Sequence, residues 1–555
     1  MRTRNNYLAL ALIIIMAFIF LRLAQLQIQD TNFLQKQSSM RTQRLQQIPA
    51  FRGNILDRNG EALAVSTKVK SIWINPLQVQ DEFDLIPIAK LLNLSFQQVS
   101  EKIQQNSQKS FLYLKRHISP DIADTILALK VVGVYAQDEY KRYYPTQEVG
   151  AHIIGFTDTD EVGIEGVELK YNSWLNGTVG QQLIQRDRMG RNIANLGVVQ
   201  EAVNGNDLQL SIDQRLQYLA YTALQESVQT HGAKSGSAVV VDVDTFEVLA
   251  MVNQPSYNPN YRHRGEASNL YRNRAVTDAF EPASVLKVFS MASILEHSDF
   301  TPDSMVNTAP GFLRLQGGTV RDIHNHGMLD GYDILQKSSN VGISKLILAS
   351  EPKNLWDTFD RLGFGWTSQS GFPGENPGVL HMPRQEQEFV TATMAFGYGV
   401  SVTNLQLARA FAILGSKGIR RPISFIKQDE APEGLRVMNS EVARQLVEML
   451  ANAVNTVNSN AKVPGYRVAG KTGTARQIGA NGYEVGRYRA VFGGLAPAIN
   501  PKFAIVVSID EPSNGAYYSN QVAAPVFARI ASNALRLYNV APDIIDTHGV
   551  MIAQN

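Results

Sequence analysis

The sequence predicts an α/β fold of the α+β kind: a mainly antiparallel sheet with helices, preceded by a mixed α+β region and one transmembrane helix. Three observations carry this. Residues 237–243 and 247–252 are two β-branched runs about a short turn, as at a hairpin that opens a sheet. Residues 503–509 form a buried-strand run, and the helical pattern over 523–538 that follows closes the same sheet. Near the N-terminus, residues 7–21 contain no charge at all.

As a helix that uncharged stretch reaches only roughly 22 Å, short of the ~30 Å hydrocarbon core. Arg22 can snorkel to the far interface and let the helix continue to Leu26. No small-x-small cleavage site follows the apolar core, so an uncleaved anchor over residues 1–30 is expected rather than a signal peptide. Arg2 and Arg4 favour a cytoplasmic N-terminus, although Arg22, Lys36, Arg41 and Arg44 blunt the asymmetry. With that orientation the remainder of the chain lies outside the cytoplasm.

Residues 31–205 mix short strand-like and helical pieces. Asn59-Gly60 between apolar-rich flanks predicts a tight hairpin within 52–64, and the glycine-rich stretch 155–190, with Gly163-Ile164-Glu165-Gly166 and Asp187-Arg188-Met189-Gly190, predicts turns joining extended pieces. A boundary falls near Asn204-Gly205-Asn206-Asp207. The second domain spans 206–540, opening with a strand-like alternation over 208–212 and a helix over 214–227, and a weakly patterned tail occupies 541–555.

A chain of 555 residues, 44% hydrophobic and 18% charged, calls for at least two folded units rather than disorder. Net charge is +2 from 52 basic and 50 acidic residues, too small a field for a nucleic-acid binder. There is no cysteine, which excludes disulfides, thiolate metal sites and cysteine nucleophiles. Among the nine histidines the one close pair, His324 and His326 in Asp322-Ile323-His324-Asn325-His326-Gly327, lacks a third ligand nearby and reads as a polar loop beside a cleft. No metal or cofactor is expected.

The chemistry-bearing stretch is Phe280-Glu281-Pro282-Ala283-Ser284-Val285-Leu286-Lys287, a Ser-x-x-Lys heading the apolar run 288–295. Pro282 suits a first helical position, so Ser284 and Lys287 are expected on one face of a helix's opening turn. There a desolvated, neutral lysine can take the proton of the serine hydroxyl. The pattern by itself selects nothing, because Ser350, Ser424 and Ser459 head further Ser-x-x-Lys matches. Order selects Ser284: it alone precedes both Ser338-Ser339-Asn340 and Lys471-Thr472-Gly473-Thr474. That succession, Ser-x-x-Lys, Ser-x-Asn, Lys-Thr-Gly, is the pattern of penicillin-interacting enzymes.

Each member has a physical role. Ser338 can relay a proton between Lys287 and a leaving amine, and Asn340 can orient Lys287 and bond a substrate amide. Lys471 suits a substrate carboxylate; Thr472 and Thr474 add hydroxyls; Gly470 and Gly473 clear space where a substrate backbone approaches the strand. The backbone N–H groups of Ser284 and Thr474 would form an oxyanion hole, worth about 3 kcal/mol per donor. Ser339 and Gly473 complete the expected substrate-binding set. Gly465 to Thr472 also fits a phosphate-loop pattern, but the glycine-interrupted stretch 475–494 denies it the helix that motif needs.

With these residues in view the chain resembles class B penicillin-binding proteins, most closely the septal, division-specific penicillin-binding protein 3 type. The resemblance runs through the anchor, residues 52–60, Arg142-Tyr143-Tyr144-Pro145, residues 151–158 and 163–168, Pro255-Ser256-Tyr257-Asn258-Pro259, and the three motifs. It implies an elongated pedestal (dimerisation-type) domain carrying a transpeptidase domain of the serine β-lactamase-like fold, held in the periplasm by an inner-membrane anchor. The implied substrates are stem peptides ending D-Ala-D-Ala, with β-lactams acylating the same Ser284. The implied partners are the membrane glycosyltransferase and other proteins of the division machinery. Tyr488, Tyr517 and Tyr518 would line an aromatic wall beside the bound inhibitor. Two residues depart from the family pattern: Ala283 and Phe246 stand where relatives usually carry glycine, the first suiting a helix and the second placing its hairpin's turn type in question. Two alternatives stay open from sequence: a hydrolytic relative (carboxypeptidase or β-lactamase), and a non-catalytic β-lactam sensor or division scaffold.

Overall fold

The computed structural model describes residues 2–187, 192–262, 268–456, 458–479 and 482–543. The Arg188 to Gly190 part of the expected glycine-rich turns and nearly all of the C-terminal tail lie outside them. The chain forms two compact units: Met1–Gly53 with Lys68–Lys141 and Asn176–Asn206, and Asn54–Thr67 with Arg142–Leu175 and Asp207–Asn555.

In the first unit the apolar N-terminal run forms a helix, Arg2–Ala24, continued by a wider turn over Gln25–Gln29. From Arg4 to Ile28 it is long and apolar enough to cross a membrane, and none of it is buried against protein. A three-stranded antiparallel sheet pairs Gln43–Ile48 with Gly180–Arg186 and the latter with Asn192–Gln200. A separate core gathers Ile72, Ile74, Ile88, Val99, Leu114 and Ile126 from strands and short amphipathic helices. One of these helices, Phe96–Gln104, opens with a capping box between Ser95 and Gln98.

The second unit is a three-layer α/β/α domain. Helix α1 (Gln214–Thr230) is capped by Asp213, whose carboxylate accepts from Arg215 N. Strands β1 (Ser235–Asp242) and β2 (Val248–Gln254) form the expected hairpin. In its turn Asp242 Oδ1 accepts the N–H groups of Asp244 and Thr245. Phe246 holds the left-handed conformation at φ +60° that glycine usually takes, with its ring wholly buried, so the turn survives the substitution. Helix α2 (Lys287–His297) and helix α3 (Asn340–Leu348) begin at the last residues of the first two motifs; helix α4 (Asn404–Gly415) is buried at all of its positions and runs through the core.

Strands β3 (Ala469–Gly479), β4 (Gly482–Ala496) and β5 (Phe503–Asp510) complete the sheet, in the order β2-β1-β5-β4-β3, antiparallel throughout. Side chains alternate between two cores. Val239, Val241, Val506 and Val491 face α2 and α4, whereas Ala238, Val240, Ile505 and Phe492 face α1 and α5 (Ala524–Leu537). Because both faces are covered, β1 and β5 read as continuous apolar runs rather than alternating ones. The expected strand over 208–212 shortens to Leu208–Gln209, paired in parallel with Ile55–Leu56.

Two segments from the N-terminal half of the chain meet inside this unit. Arg142 Nε donates to Glu168 Oε1 at 2.6 Å with both side chains buried, and Arg142 Nη1 donates to Ser66 Oγ. The hairpin at Asn59-Gly60 is present, with Gly60 at φ +89° and Asp57 accepting from Asn59 N and Glu61 N.

Candidate active site

Ser284 does not sit on the opening turn of an α-helix, as the spacing suggests. It lies in a 3-10 turn, Ala283–Val285, and the α-helix begins only at Lys287. Pro282 caps that turn instead of occupying a first helical position. Ala283 is left-handed at φ +48°, so the glycine usual here suits the backbone, and the helical reason given to alanine does not hold. Tertiary contacts impose this shape. Ala283 N donates to Gly397 O, and a Cβ on Gly397 would fall 2.0 Å from Ala283 O. From the other side β3 presses in, where a Cβ on Gly473 would fall 2.6 Å from Pro282 O. Two glycines thus let a loop and a strand clamp the serine turn.

Behind Ser284, Lys287 is completely buried. Its Nζ donates to Ser338 O at 2.5 Å and Ser338 Oγ at 3.1 Å. A neutral amine has two N–H groups and one lone pair, so these acceptors use both hydrogens and leave the lone pair free to receive a proton. Burial, and then the neighbouring charge of Lys471, holds this amine well below the ordinary lysine range, while the Asp322 carboxylate pulls in the opposite direction. Lys471, on β3, donates from Nζ to the same Ser338 Oγ at 3.1 Å, and burial lowers it to about 8.

Ser338 is therefore shared by both lysines. It too is left-handed, at φ +57°, in the tight link between a short helix, Gly331–Gln336, and α3. Ser339 caps α3, accepting from Gly342 N at 2.8 Å, and donates to Asp322 Oδ2 at 2.6 Å. Asn340 does not orient Lys287 as the motif suggests. Its Nδ2 donates to Arg321 O at 3.0 Å, and among the described residues Lys287 bonds Ser338 rather than Asn340. Among the described residues the side-chain oxygen of Asn340 accepts no hydrogen bond.

On β3, Thr474 Oγ1 accepts from Ser519 N at 3.1 Å, and Thr472 and Gly473 lie beside Lys471 along the strand. A strand, not a helix, follows Lys471, which disposes of the phosphate-loop pattern. Tyr488 and Tyr517 stack at 4.3 Å, and Tyr517 stacks on Tyr518 at 4.3 Å, so all three expected tyrosines form one aromatic pile; Tyr488 pairs in register with Arg476, two residues beyond Thr474.

Sequence reasoning missed Asp322, Gly397 and a contact at the turn's entrance, where Glu281 accepts from Gly399 N and from Tyr483 OH. Nothing in their spacing flagged them; each acquires its position only from tertiary packing.

A buried lysine pair converging on one serine, beside a second serine on a glycine-clamped turn, is the apparatus of an acyl-transferring serine enzyme. The family of penicillin binding protein transpeptidase domains matches residues 236–532, and that of penicillin-binding protein dimerisation domains matches residues 47–210. The chain belongs to the penicillin-binding protein transpeptidases. It is 41% identical to the peptidoglycan D,D-transpeptidase FtsI of Escherichia coli over 97% of this chain and 92% of that protein. It is 40% identical to the probable peptidoglycan D,D-transpeptidase PbpC of Pseudomonas aeruginosa over 94% of this chain and 93% of that protein. Among solved structures, a peptidoglycan synthetase from Bifidobacterium adolescentis superposes with a TM-score of 0.72 at 26% identity, covering 92% of this chain and 99% of that one. Penicillin binding protein 3 from Mycobacterium tuberculosis, complexed with aztreonam, gives 0.69 at 27% identity over 92% and 100%.

Proposed function

We propose that this protein cross-links peptidoglycan stem peptides during septum formation, as a D,D-transpeptidase that forms an acyl-enzyme on Ser284. The observation that carries this is the shared Ser338: its Oγ receives Lys287 and Lys471 at 3.1 Å each and its O receives Lys287 at 2.5 Å, so both hydrogens of a neutral Lys287 are held and its lone pair is left to take a proton.

The Ser284 hydroxyl attacks the penultimate D-Ala carbonyl carbon while its proton passes to Lys287. The carbonyl oxygen takes the negative charge against the N–H groups of Ser284 and Thr474. As the C–N bond breaks, the terminal D-Ala leaves with the proton that Lys287 took, relayed through Ser338, whose O–H is free to donate because its two lone pairs already accept. An amine of a neighbouring stem then attacks the ester, its proton returns by the same route, and Ser284 is regenerated with a new amide formed. Lys471 holds the substrate carboxylate with Thr472 and Thr474; Ser339, Gly473 and the tyrosine pile Tyr488, Tyr517 and Tyr518 form the walls against which the donor peptide or a β-lactam rests.

The N-terminal helix anchors the chain once in the inner membrane, with the transpeptidase domain in the periplasm, where the membrane glycosyltransferase and other division proteins are its partners. No metal or cofactor enters the chemistry.

Incubation with a stem pentapeptide and an amine acceptor tests the reading. Release of D-Ala with stoichiometric amide product is expected, together with a benzylpenicillin adduct that outlasts many turnovers. Rapid clearance of the adduct, with the donor acyl group passed to water and no amide product, would instead define a hydrolase.

A further inference from the structure

We propose that Asp322, in the loop behind the Ser-x-Asn motif, is a positioning residue of this reaction: it fixes the turn that presents Ser338 to both lysines and places a negative charge behind Lys287. The inference rests on the transpeptidase reading above and adds to it a residue that lies in none of the three motifs.

Three donors converge on this one carboxylate. Oδ1 accepts from Asn340 N at 2.5 Å and Val341 N at 3.0 Å, and Oδ2 accepts from Ser339 Oγ at 2.6 Å. The two N–H groups belong to the first turn of α3, where backbone donors lack partners within the helix and a negative charge is favoured. Ser339 is already the cap of that helix, so Asp322 acts as a second cap outside the first. The residue held between this double cap and the preceding helix is Ser338, in a left-handed conformation that a serine adopts only when its surroundings enforce it. Loosening the cap would let Ser338 relax and withdraw both acceptors, O and Oγ, that lie within 3.1 Å of Lys287.

The loop itself is anchored by Asp322 N donating to Gly311 O, at the end of the small hairpin Phe312–Leu315 with Gly318–Arg321. Adjacent Arg321 sits over the Phe312 ring, 5.7 Å from its centroid, so the neighbouring cation is engaged elsewhere. Among the described residues, the charged groups acting on Lys287 are Lys471, from β3, and Asp322, from this loop. The first opposes a proton on Lys287 and the second favours one. Asp322 therefore sets how far the base is released.

The test is the pH dependence of benzylpenicillin acylation, measured on the full chain in detergent for the wild type, Asp322→Asn, Asp322→Glu and Ser339→Ala. Asparagine keeps an acceptor for the two N–H groups but removes the charge. Its acidic limb should move to lower pH by about half a unit or more, with the plateau rate reduced about tenfold because Ser339 must reverse its bond. Glutamate should return the limb toward the wild-type position. Ser339→Ala, which retains the charge and breaks the anchor, should lower the plateau without moving the limb, and it carries the test of positioning if Asp322→Asn does not fold. An unmoved limb in folded Asp322→Asn, or an unchanged plateau in Ser339→Ala, overturns the inference while leaving the transpeptidase reading intact. A wild-type protein that takes no adduct on Ser284 overturns both.

Discussion

Ser338 joins two buried amines through one oxygen, and the consequences are measurable at that residue. Ser338→Ala removes an acceptor from both Lys287 and Lys471 and breaks the proton route, so acylation should fall on the order of 10²- to 10⁴-fold. Stopped-flow acylation with a chromogenic β-lactam checks it. Lys471 makes a separate prediction. With its amine near 8, it is cationic below that pH and neutral above, so KM for a carboxylate-bearing donor peptide should rise about tenfold per unit above pH 8. At this scale the three motifs were readable because side-chain chemistry and order constrain each other. The backbone was not: the left-handed Ala283 and the turn of the Asn340 amide toward Arg321 follow from the close approaches of Gly397 and of the loop behind α3, which no local pattern encodes.

Among the elements, the two that clamp the serine turn do so through missing side chains. Gly473→Ala would set a methyl 2.6 Å from Pro282 O and 2.9 Å from Val285 Cγ2, and Gly397→Ala would set one 2.0 Å from Ala283 O, both against backbone that cannot step aside. Each should lower acylation at least tenfold, and Gly397→Ala should also destabilise the domain by about 1–3 kcal/mol, read by thermal unfolding. The strands 235–242 and 503–510 and their flanking helices were legible as apolar runs and periodicity. Strand β4 was not, because Gly482, Gly486, Gly493 and Gly494 look like breakers. Two of them are packing devices: a Cβ on Gly493 would strike Phe411, and one on Gly494 would strike Ala469 O.

For the whole molecule, the compact units do not follow chain order. Residues Asn54–Thr67 and Arg142–Leu175 fold with the sheet domain, although between the anchor and the tail the sequence shows a break near 205 and none at their ends. The buried Arg142–Glu168 pair lies in these inserted pieces. Arg142→Ala takes a buried donor from Glu168 and should cost about 1–3 kcal/mol in the unfolding free energy. Nearby, buried His152 donates from Nε2 to Leu270 O at 3.0 Å and is lowered to about 4, chiefly by burial. A histidine depressed in the folded state opposes protonation, so stability is full above about pH 6.5 and declines as pH falls toward 4, by roughly 3 kcal/mol from this group. Denaturant melts across that window, compared with His152→Asn, read the contribution directly.

The assignment as a whole stands on Ser284 being the residue that carries the acyl group. Intact-protein and peptide mass spectrometry after benzylpenicillin tests that most directly. One penicilloyl group per chain, on the peptide containing Ser284 and absent in Ser284→Ala, is the predicted result. An adduct on Ser350, Ser424 or Ser459, or one that persists in Ser284→Ala, would contradict it.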